Sequence, residues 1–187
     1  MAHLPRVENR TSRPLSRIER IAVSLESLMM TGMVPLDHPG PAFKWLFKIP
    51  VLFFKLGIPL FGDFILLLTT TGRKSGKLRF TPLEYRRESS THQVIITAGW
   101  GGHTDWRCNI QANPHVSVQI GQNKYEALAE PLSDAQVAAW MADTIRINPR
   151  SAKMFSRWAG KPVGIDAPDN LLHAARFFPS FRLRSMN

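Results

Sequence analysis

Two runs of apolar and β-branched residues, separated by a short polar stretch, dominate the middle of the chain. Within Phe64–Tyr85, the first run ends before Gly72 and the second begins after Lys77. Runs of this kind on either side of a glycine-containing stretch predict a β-hairpin. Residues 72–77 are therefore expected to form its bend, and the rest of the fold is expected to build on this hairpin.

Further strands are predicted downstream. Gln93–Ala98 is a third apolar run, and Val116–Ile120 with Lys124–Glu130 forms a second hairpin about Gly121. The sequence FRLRS near the end of the chain is a candidate last strand. Five or six strands in hairpin order favour a small antiparallel barrel, because no crossover helices of adequate length for a parallel sheet separate strands three to five.

Helical patterns flank these strands. Asp105 and Asp169 are predicted N-caps, and Ser133 with Gln136 forms a capping-box signature. The predicted helices run from Asp105 to Asn113, from Ser133 to Ile147, from Asn148-Pro149 to Gly160 and from Asp169 to Phe177.

The N-terminal third differs from the rest. Residues 1–13 are polar and arginine-rich, which predicts a mobile arm, whereas apolar residues recur at helical spacing over Pro14–Met30. The apolar zone Trp45–Leu68 is interrupted by charges and prolines, so it lacks the roughly 20 apolar residues of a membrane span. This apolar zone predicts one or two short helices, kinked at Pro50 and ending near Gly57. The helices either cover the core or lie in a lipid interface. We expect a helical extension over residues 1–60 and one barrel domain with C-terminal helices over 61–187.

Charge narrows the range of partners. The chain has 24 Lys and Arg against 14 Asp and Glu, a formal net charge of +10, which favours an anionic cofactor, nucleic acid or lipid surface. The single cysteine, Cys108, excludes an internal disulfide and a cysteine-based zinc site, and it fits the cytoplasm. His103 and Asp105 lie close in sequence, but two candidate ligands in a loop are more often surface residues, and no metal is predicted.

The bend of the first hairpin concentrates this charge. Arg73, Lys74, Lys77 and Arg79 lie within seven residues that include no Asp or Glu. Flanking glycines let backbone N–H groups and cationic side chains converge on a phosphate or carboxylate. The alternative is a solvated basic turn that keeps the hairpin soluble. The spacing matches neither a Walker A loop nor GxGxxG.

A second candidate feature is the glycine-rich loop Gly99-Trp100-Gly101-Gly102. Glycines permit close approach to a flat ligand and an indole offers a face for contact, although a Trp that anchors the core beside a flexible turn fits the pattern equally well.

Together these segments resemble a known family. LLLTTTGRKSGKLRFTPLEY and ITAGWGGHTDWRCNIQANPHVSVQIG resemble the deazaflavin-dependent nitroreductase family over about residues 64–160. The resemblance implies an α+β fold, a split β-barrel related to flavin-mononucleotide-binding oxidoreductases, with mainly antiparallel strands, flanking helices and an N-terminal helical extension. It also implies the 8-hydroxy-5-deazaflavin coenzyme (F-420), whose tail carries a phosphate and oligoglutamate. Flavin mononucleotide is the less favoured alternative.

The resemblance also implies a set of coenzyme-binding residues. The hairpin bend and returning strand would meet the anionic tail, the segment after the third strand would line the ring, and the short helix would form a wall. The implied residues are Arg73, Lys74, Ser75, Arg79, Phe80, Thr81, Pro82, Leu83, Glu84, Thr97, Ala98, Gly99, Trp100, Trp106, Arg107, Cys108 and Asn109.

The implied activity is hydride transfer from the reduced coenzyme to a small hydrophobic, electron-poor acceptor such as a nitroaromatic, a quinone or an activated alkene. No side chain is predicted to act as a separate catalytic residue. The competing hypothesis is a non-catalytic carrier of deazaflavin or lipid on the same fold. Nucleic acid is not an expected partner, because the cations lack interleaved aromatic residues. A cytoplasmic location is expected, and the N-terminal helices leave peripheral contact with the anionic inner face of the cell membrane open.

Two departures from the family pattern limit what is implied. Gly99 and Trp100 stand where the better-known nitroreductase branch has a serine and a lysine, and RINPRSAKMF lacks the tyrosines of that region, so nitro-drug reduction is not implied. Cys108 stands where an arginine often precedes the helix asparagine, and Arg107 is the candidate substitute.

Overall fold

The structure, a computed structural model, describes residues 48–56, 65–88, 91–99 and 103–186. Six strands close into one barrel in the order β1-β2-β3-β6-β5-β4, and every neighbouring pair is antiparallel. The strands are β1 (Ile65–Thr71), β2 (Leu78–Arg87), β3 (Val94–Thr97), β4 (His115–Ile120), β5 (Asn123–Pro131) and β6 (Ser180–Ser185).

Five helices lie within the described residues and flank the barrel. They are α1 (Lys48–Lys55), α2 (Asp105–Ala112), α3 (Asp134–Ile147), α4 (Arg150–Ala159) and α5 (Pro168–Ala175). The predicted fold class, an α+β antiparallel barrel with flanking helices, is confirmed. The predicted division at residue 60 stays a prediction, because the arm, the helix over residues 14–30 and residues 57–64 fall outside the described residues.

The barrel interior is filled by alternate residues of the strands, since successive side chains in a strand point to opposite faces. Leu66, Leu68, Ile96 and Val118 are fully buried there. The pairing of β1 with β2 over Thr71↔Leu78 to Ile65↔Glu84 confirms the predicted hairpin and its bend. The second hairpin is also confirmed, with Ile120 paired to Asn123 across Gly121 and Gln122.

A second core lies among the C-terminal helices. Val137, Met141 and Phe155 are buried together with residues of α5. The predicted capping box is present at the start of α3, where Ser133 and Gln136 bond each other's backbone and side chain. The predicted stop of α4 is also present, because Gly160 adopts the left-handed conformation there.

Helix α1 packs on the outside of the barrel. Its Phe54 is buried, it contacts β2, and the Phe54 backbone oxygen accepts a hydrogen bond of 3.4 Å from the Gln119 side chain on β4. The described part of the apolar zone therefore covers the barrel wall. No helix in the described ranges has the length and apolarity to cross a membrane.

Two predicted helix caps are wrong by one or two residues. Thr104, with extended backbone, is the N-cap of α2, and Asp105 is the first helical residue. Ala167 is the N-cap of α5, and Asp169 lies in its first turn. Both acidic side chains still lie where a negative charge interacts favourably with the helix dipole.

Candidate functional site

The hairpin bend is a compact turn closed by its own backbone. The Gly72 N–H donates to the Lys77 carbonyl at 2.9 Å, and the Ser75 and Gly76 N–H groups donate to the Gly72 carbonyl at 3.1 and 2.8 Å. Gly76 has a φ of +66°, and a Cβ at Gly72 would lie 3.1 Å from the Lys77 carbonyl oxygen. The glycines are therefore needed for the turn that presents the cations.

All four cationic side chains of the bend are exposed: Arg73, Lys74, Lys77 and Arg79. Arg79 donates to the Ser75 hydroxyl at 3.4 Å. Among the described residues, Arg73 is the only one of the four with a salt bridge, to Asp105 at 3.0 Å. The bend thus keeps most of its positive charge available to an anion.

Asn109 on α2 fastens the bend to the rest of the molecule. Its Oδ1 accepts hydrogen bonds from the Arg73 backbone N–H at 3.1 Å and from Arg73 Nη1 at 3.2 Å. Its Nδ2 donates to the Thr70 hydroxyl at 3.2 Å. Asn109 is 3% exposed and Thr70 is 1% exposed, so these bonds are shielded from water. The bend is therefore held against the helix by a buried polar network.

Strands β2 and β3 pair over only three residues of each strand. Strand β2 pairs with β1 over Leu78–Glu84 and with β3 over Tyr85–Arg87. Strand β3 pairs with β6 along its whole length. The hydroxyl oxygens of Thr97 and Ser180 lie 2.9 Å apart, and the Ala98 N–H donates to the Pro179 carbonyl. The first half of β2 therefore has no hydrogen-bonded strand on its β3 side, and the segment after β3 continues along β6 instead.

The predicted residues of β2 divide between two faces. Thr81 and Leu83 pair with Leu68 and Leu66, which face the barrel interior, so they and Arg79 point inward. The alternate residues, Phe80, Pro82 and Glu84, lie on the outer face, where Phe80 and Glu84 are exposed and Pro82 is buried. A ligand that lies along β2 would therefore contact the backbone of β2 and either its inward-pointing or its outer-face side chains, but not both.

The predicted residues after β3 and on α2 are mainly buried. Ala98 and Trp106 belong to the barrel core, where Trp106 packs edge-on against Phe181 with ring centroids 5.9 Å apart. Gly99, Arg107 and Cys108 are half-buried. Trp100 lies outside the described residues. The structure brings Arg73 and Asn109 into direct contact, and the coenzyme roles of the whole set stay predictions.

Sequence reasoning missed Thr70 and the contact that Asp105 makes with Arg73. Thr70 belongs to a TTT run whose alternation places it inward, beside the bend. That alternation was the available signal. In the ranges that the structure describes, no group of three His, Cys, Asp or Glu side chains could hold a metal ion.

The fold and this site define a small antiparallel-barrel protein with an anchored cationic bend at one end. A family model described as F420H(2)-dependent quinone reductase matches residues 53–165, more than half of the chain. The chain belongs to this family of oxidoreductases, which confirms the predicted deazaflavin-dependent family. The family is named for the reduced deazaflavin as hydride donor, the coenzyme that the resemblance implied.

Individual relatives and solved structures are similar to this chain at 25–32% identity. F420H(2)-dependent quinone reductases of two Mycobacterium tuberculosis strains, CDC 1551 and H37Rv, are 32% identical over 68 residues, 36% of this chain. The match spans 46% of each relative's length, so about half of those proteins is represented. A structure described as a domain-swapped dimer is 25% identical, with a TM-score of 0.49, covering 78% of this chain and 100% of the other. An F420-H2 dependent reductase is 28% identical, with a TM-score of 0.46, covering 66% and 96%.

Proposed function

We propose that the chain is a deazaflavin-dependent reductase that transfers hydride to a quinone-type acceptor and binds the anionic tail of its coenzyme at the hairpin bend. Family membership supports the reaction class, because the matching family is one of quinone reductases. The observation on which the binding site rests is the bend itself, where three exposed cations lie on a turn fixed to α2 by Asn109 and the exposed Arg79 follows on β2.

The cations of the bend suit this task. Phosphate and carboxylate groups form charge-assisted hydrogen bonds with arginine and lysine, each worth about 1.5–3 kcal/mol when well made. Arg73 and Arg79 offer planar, two-pronged donors, and Lys74 and Lys77 add point charges. Because Arg73, Lys74 and Lys77 lie on one short turn and Arg79 is the second residue of the strand that follows, an oligoanionic tail can meet several of them together.

The edge of β2 that has no β3 partner, beside the bend, is the proposed place for the ring of the coenzyme. When bound, the reduced deazaflavin would supply the hydride and solvent the proton that completes the reduction of the quinone, so no described side chain is assigned as a separate acid or base. The chain's own part is to hold the tail, to offer backbone along the first half of β2, and to exclude water with the apolar wall behind it. Nitroaromatics and activated alkenes are alternative acceptors, since they too are electron-poor.

The place of action is also proposed. The net charge of +10 and the apolar face predicted over residues 14–30 support a cytoplasmic protein that contacts an anionic membrane surface, where hydrophobic quinones are available.

A spectroscopic titration tests the coenzyme site. Purified protein is titrated with the oxidised deazaflavin, and with flavin mononucleotide in parallel. The variant Arg73→Ala/Lys74→Ala is expected to raise the deazaflavin Kd by about 100-fold or more, because two charge-assisted contacts are lost. The control Arg150→Ala/Lys153→Ala removes an arginine and a lysine that are exposed on α4 and are not part of the bend, and should change the Kd less than twofold.

Two outcomes contradict the proposal at different points. Equal Kd values for the bend variant and the wild type would remove the tail site. Tight binding of reduced deazaflavin that is not oxidised by a soluble quinone, a nitroaromatic or an enone would instead favour the non-catalytic carrier.

A further inference from the structure

We infer that Asn109, together with Asp105, is a positioning device for Arg73: it holds one nitrogen of the guanidinium and leaves the opposite edge for a coenzyme anion. This inference rests on the proposed function for the identity of the anion. It assigns to Asn109 a role different from lining the coenzyme, since Asn109 would act through Arg73.

The hydrogen bonds of Arg73 are unevenly distributed. Nη1 donates to Asp105 Oδ1 at 3.0 Å, to the Asp105 carbonyl at 3.4 Å and to Asn109 Oδ1 at 3.2 Å. Across the described residues, no acceptor receives a bond from Arg73 Nε or Nη2. Nη1 is the nitrogen on the Cδ side of the guanidinium, so Nε–H and Nη2 together form the opposite edge. That edge can bind a phosphate or carboxylate with two parallel hydrogen bonds.

The orientation of the Asn109 amide is fixed by its neighbours. The Arg73 backbone N–H and Nη1 are donors only, so the amide oxygen must face them and the amide nitrogen must face the Thr70 hydroxyl. All of these bonds involve the buried Asn109 side chain, and breaking them would leave buried polar groups without partners. The network therefore sets both the backbone of the bend at residue 73 and the direction of its guanidinium.

Asp105 contributes differently from Asn109. Its side chain is 91% exposed, so the salt bridge with Arg73 gains little free energy in water. Its carboxylate and carbonyl nevertheless provide two further acceptors for Nη1. Since the guanidinium is planar, holding Nη1 from the α2 side restricts the plane in which the Nε–Nη2 edge lies.

A double-mutant cycle on coenzyme affinity tests the inference. Asn109→Ala and Arg73→Ala are each expected to raise the deazaflavin Kd about tenfold, the loss of one oriented charge-assisted contact. If Asn109 acts through Arg73, adding Asn109→Ala to Arg73→Ala should weaken binding less than about twofold further. A purely structural role would lower the melting temperature equally in both backgrounds and weaken binding additively. Additive weakening would overturn the inference.

A measurement without coenzyme keeps the inference testable if the proposed function fails. Hydrogen exchange of the Arg73 backbone amide, followed by NMR, should be at least about tenfold faster in Asn109→Ala than in the wild type. Asn109→Asp keeps an acceptor for Arg73, and the Thr70 hydroxyl can turn to donate to it, so exchange should stay slow. Lys74→Ala is the control at the same bend.

The two arms separate the possible failures. If the wild type binds no deazaflavin but shows the expected exchange pattern, the proposed coenzyme is wrong, while the positioning of Arg73 by Asn109 is supported. If the Arg73 amide exchanges at the same rate in the wild type and in Asn109→Ala, Asn109 does not position Arg73.

Discussion

At the scale of residues, Glu88 and Arg182 form the most buried ion pair among the described residues. Arg182 Nη2 lies 2.6 Å from Glu88 Oε1, the two side chains are 21% and 24% exposed, and the Thr91 hydroxyl donates to Glu88 Oε2. Burial alone raises the pKa of Glu88, but the hydrogen bonds from Thr91 and Arg182 and the charge of Arg182 lower the pKa overall. The ionised carboxylate therefore favours the folded state.

The pH dependence follows from that direction. Because the pKa is lower in the folded state, the stabilisation is present above the unfolded value of about 4.3 and is lost as the pH falls through the folded value. Glu88→Gln should lower the free energy of unfolding by about 1 kcal/mol at pH 7, and the difference should shrink at acidic pH. Urea unfolding at several pH values measures it. Glu126→Gln, at an exposed position, should show little change, and a pH-independent loss for Glu88→Gln would contradict the assignment.

Some contacts of single residues could not be predicted from the sequence. The cations of the bend could be predicted because they are neighbours in the sequence. The contact between Arg73 and Asn109 joins residues 36 positions apart, and it depends on how α2 packs against β1. Asn109 could be listed as a site residue by resemblance, but its partners required the fold.

At the scale of elements, the bend of the first hairpin depends on a glycine in the left-handed region. Gly76 has a φ of +66°, and nothing lies within 4 Å of the position that a Cβ would take. Gly76→Ala should therefore destabilise the protein by about 1 kcal/mol through backbone strain alone. Gly164→Ala is the matched control, since Gly164 has equal space around its Cβ position and no positive φ. Thermal unfolding measures both variants, and equal melting temperatures would argue against a strained turn.

Element types were predictable to a larger extent than element ends. The hairpins, the capping box at Ser133 and the stop at Gly160 have local causes that the sequence displays. Thr104 is the N-cap of α2 because its backbone is extended, although its hydroxyl makes no capping hydrogen bond. The sequence could not decide between Thr104 and Asp105, because both residue types are common N-caps. In α5, the proline at residue 168 favours the first helical turn, which moves the cap to Ala167.

At the scale of the whole molecule, two cores meet at one strand. The barrel core and the helical core share no residues, and β6 follows α5 after four residues. The N–H of Leu132 donates to the Ser180 carbonyl at 2.9 Å, and the Ser180 hydroxyl donates to the Phe178 carbonyl at 2.9 Å. The sequence indicated a final strand but not its place between β3 and β5, because that pairing joins distant parts of the chain.

This connection predicts how the molecule unfolds. Phe155 is fully buried in the helical core and packs edge-on against Phe178, with ring centroids 5.3 Å apart. Phe155→Ala should cost about 3–5 kcal/mol. Because Phe178 lies two residues before β6, loosening it also loosens the strand that closes the barrel. Helix and barrel signals should therefore be lost in one transition, measured by far-UV circular dichroism and, given the proposed function, by release of bound deazaflavin. Leu172→Ala, at a position 40% exposed on α5, is the control and should cost far less. If the helical signal were lost while the coenzyme stayed bound, the two cores would be independent.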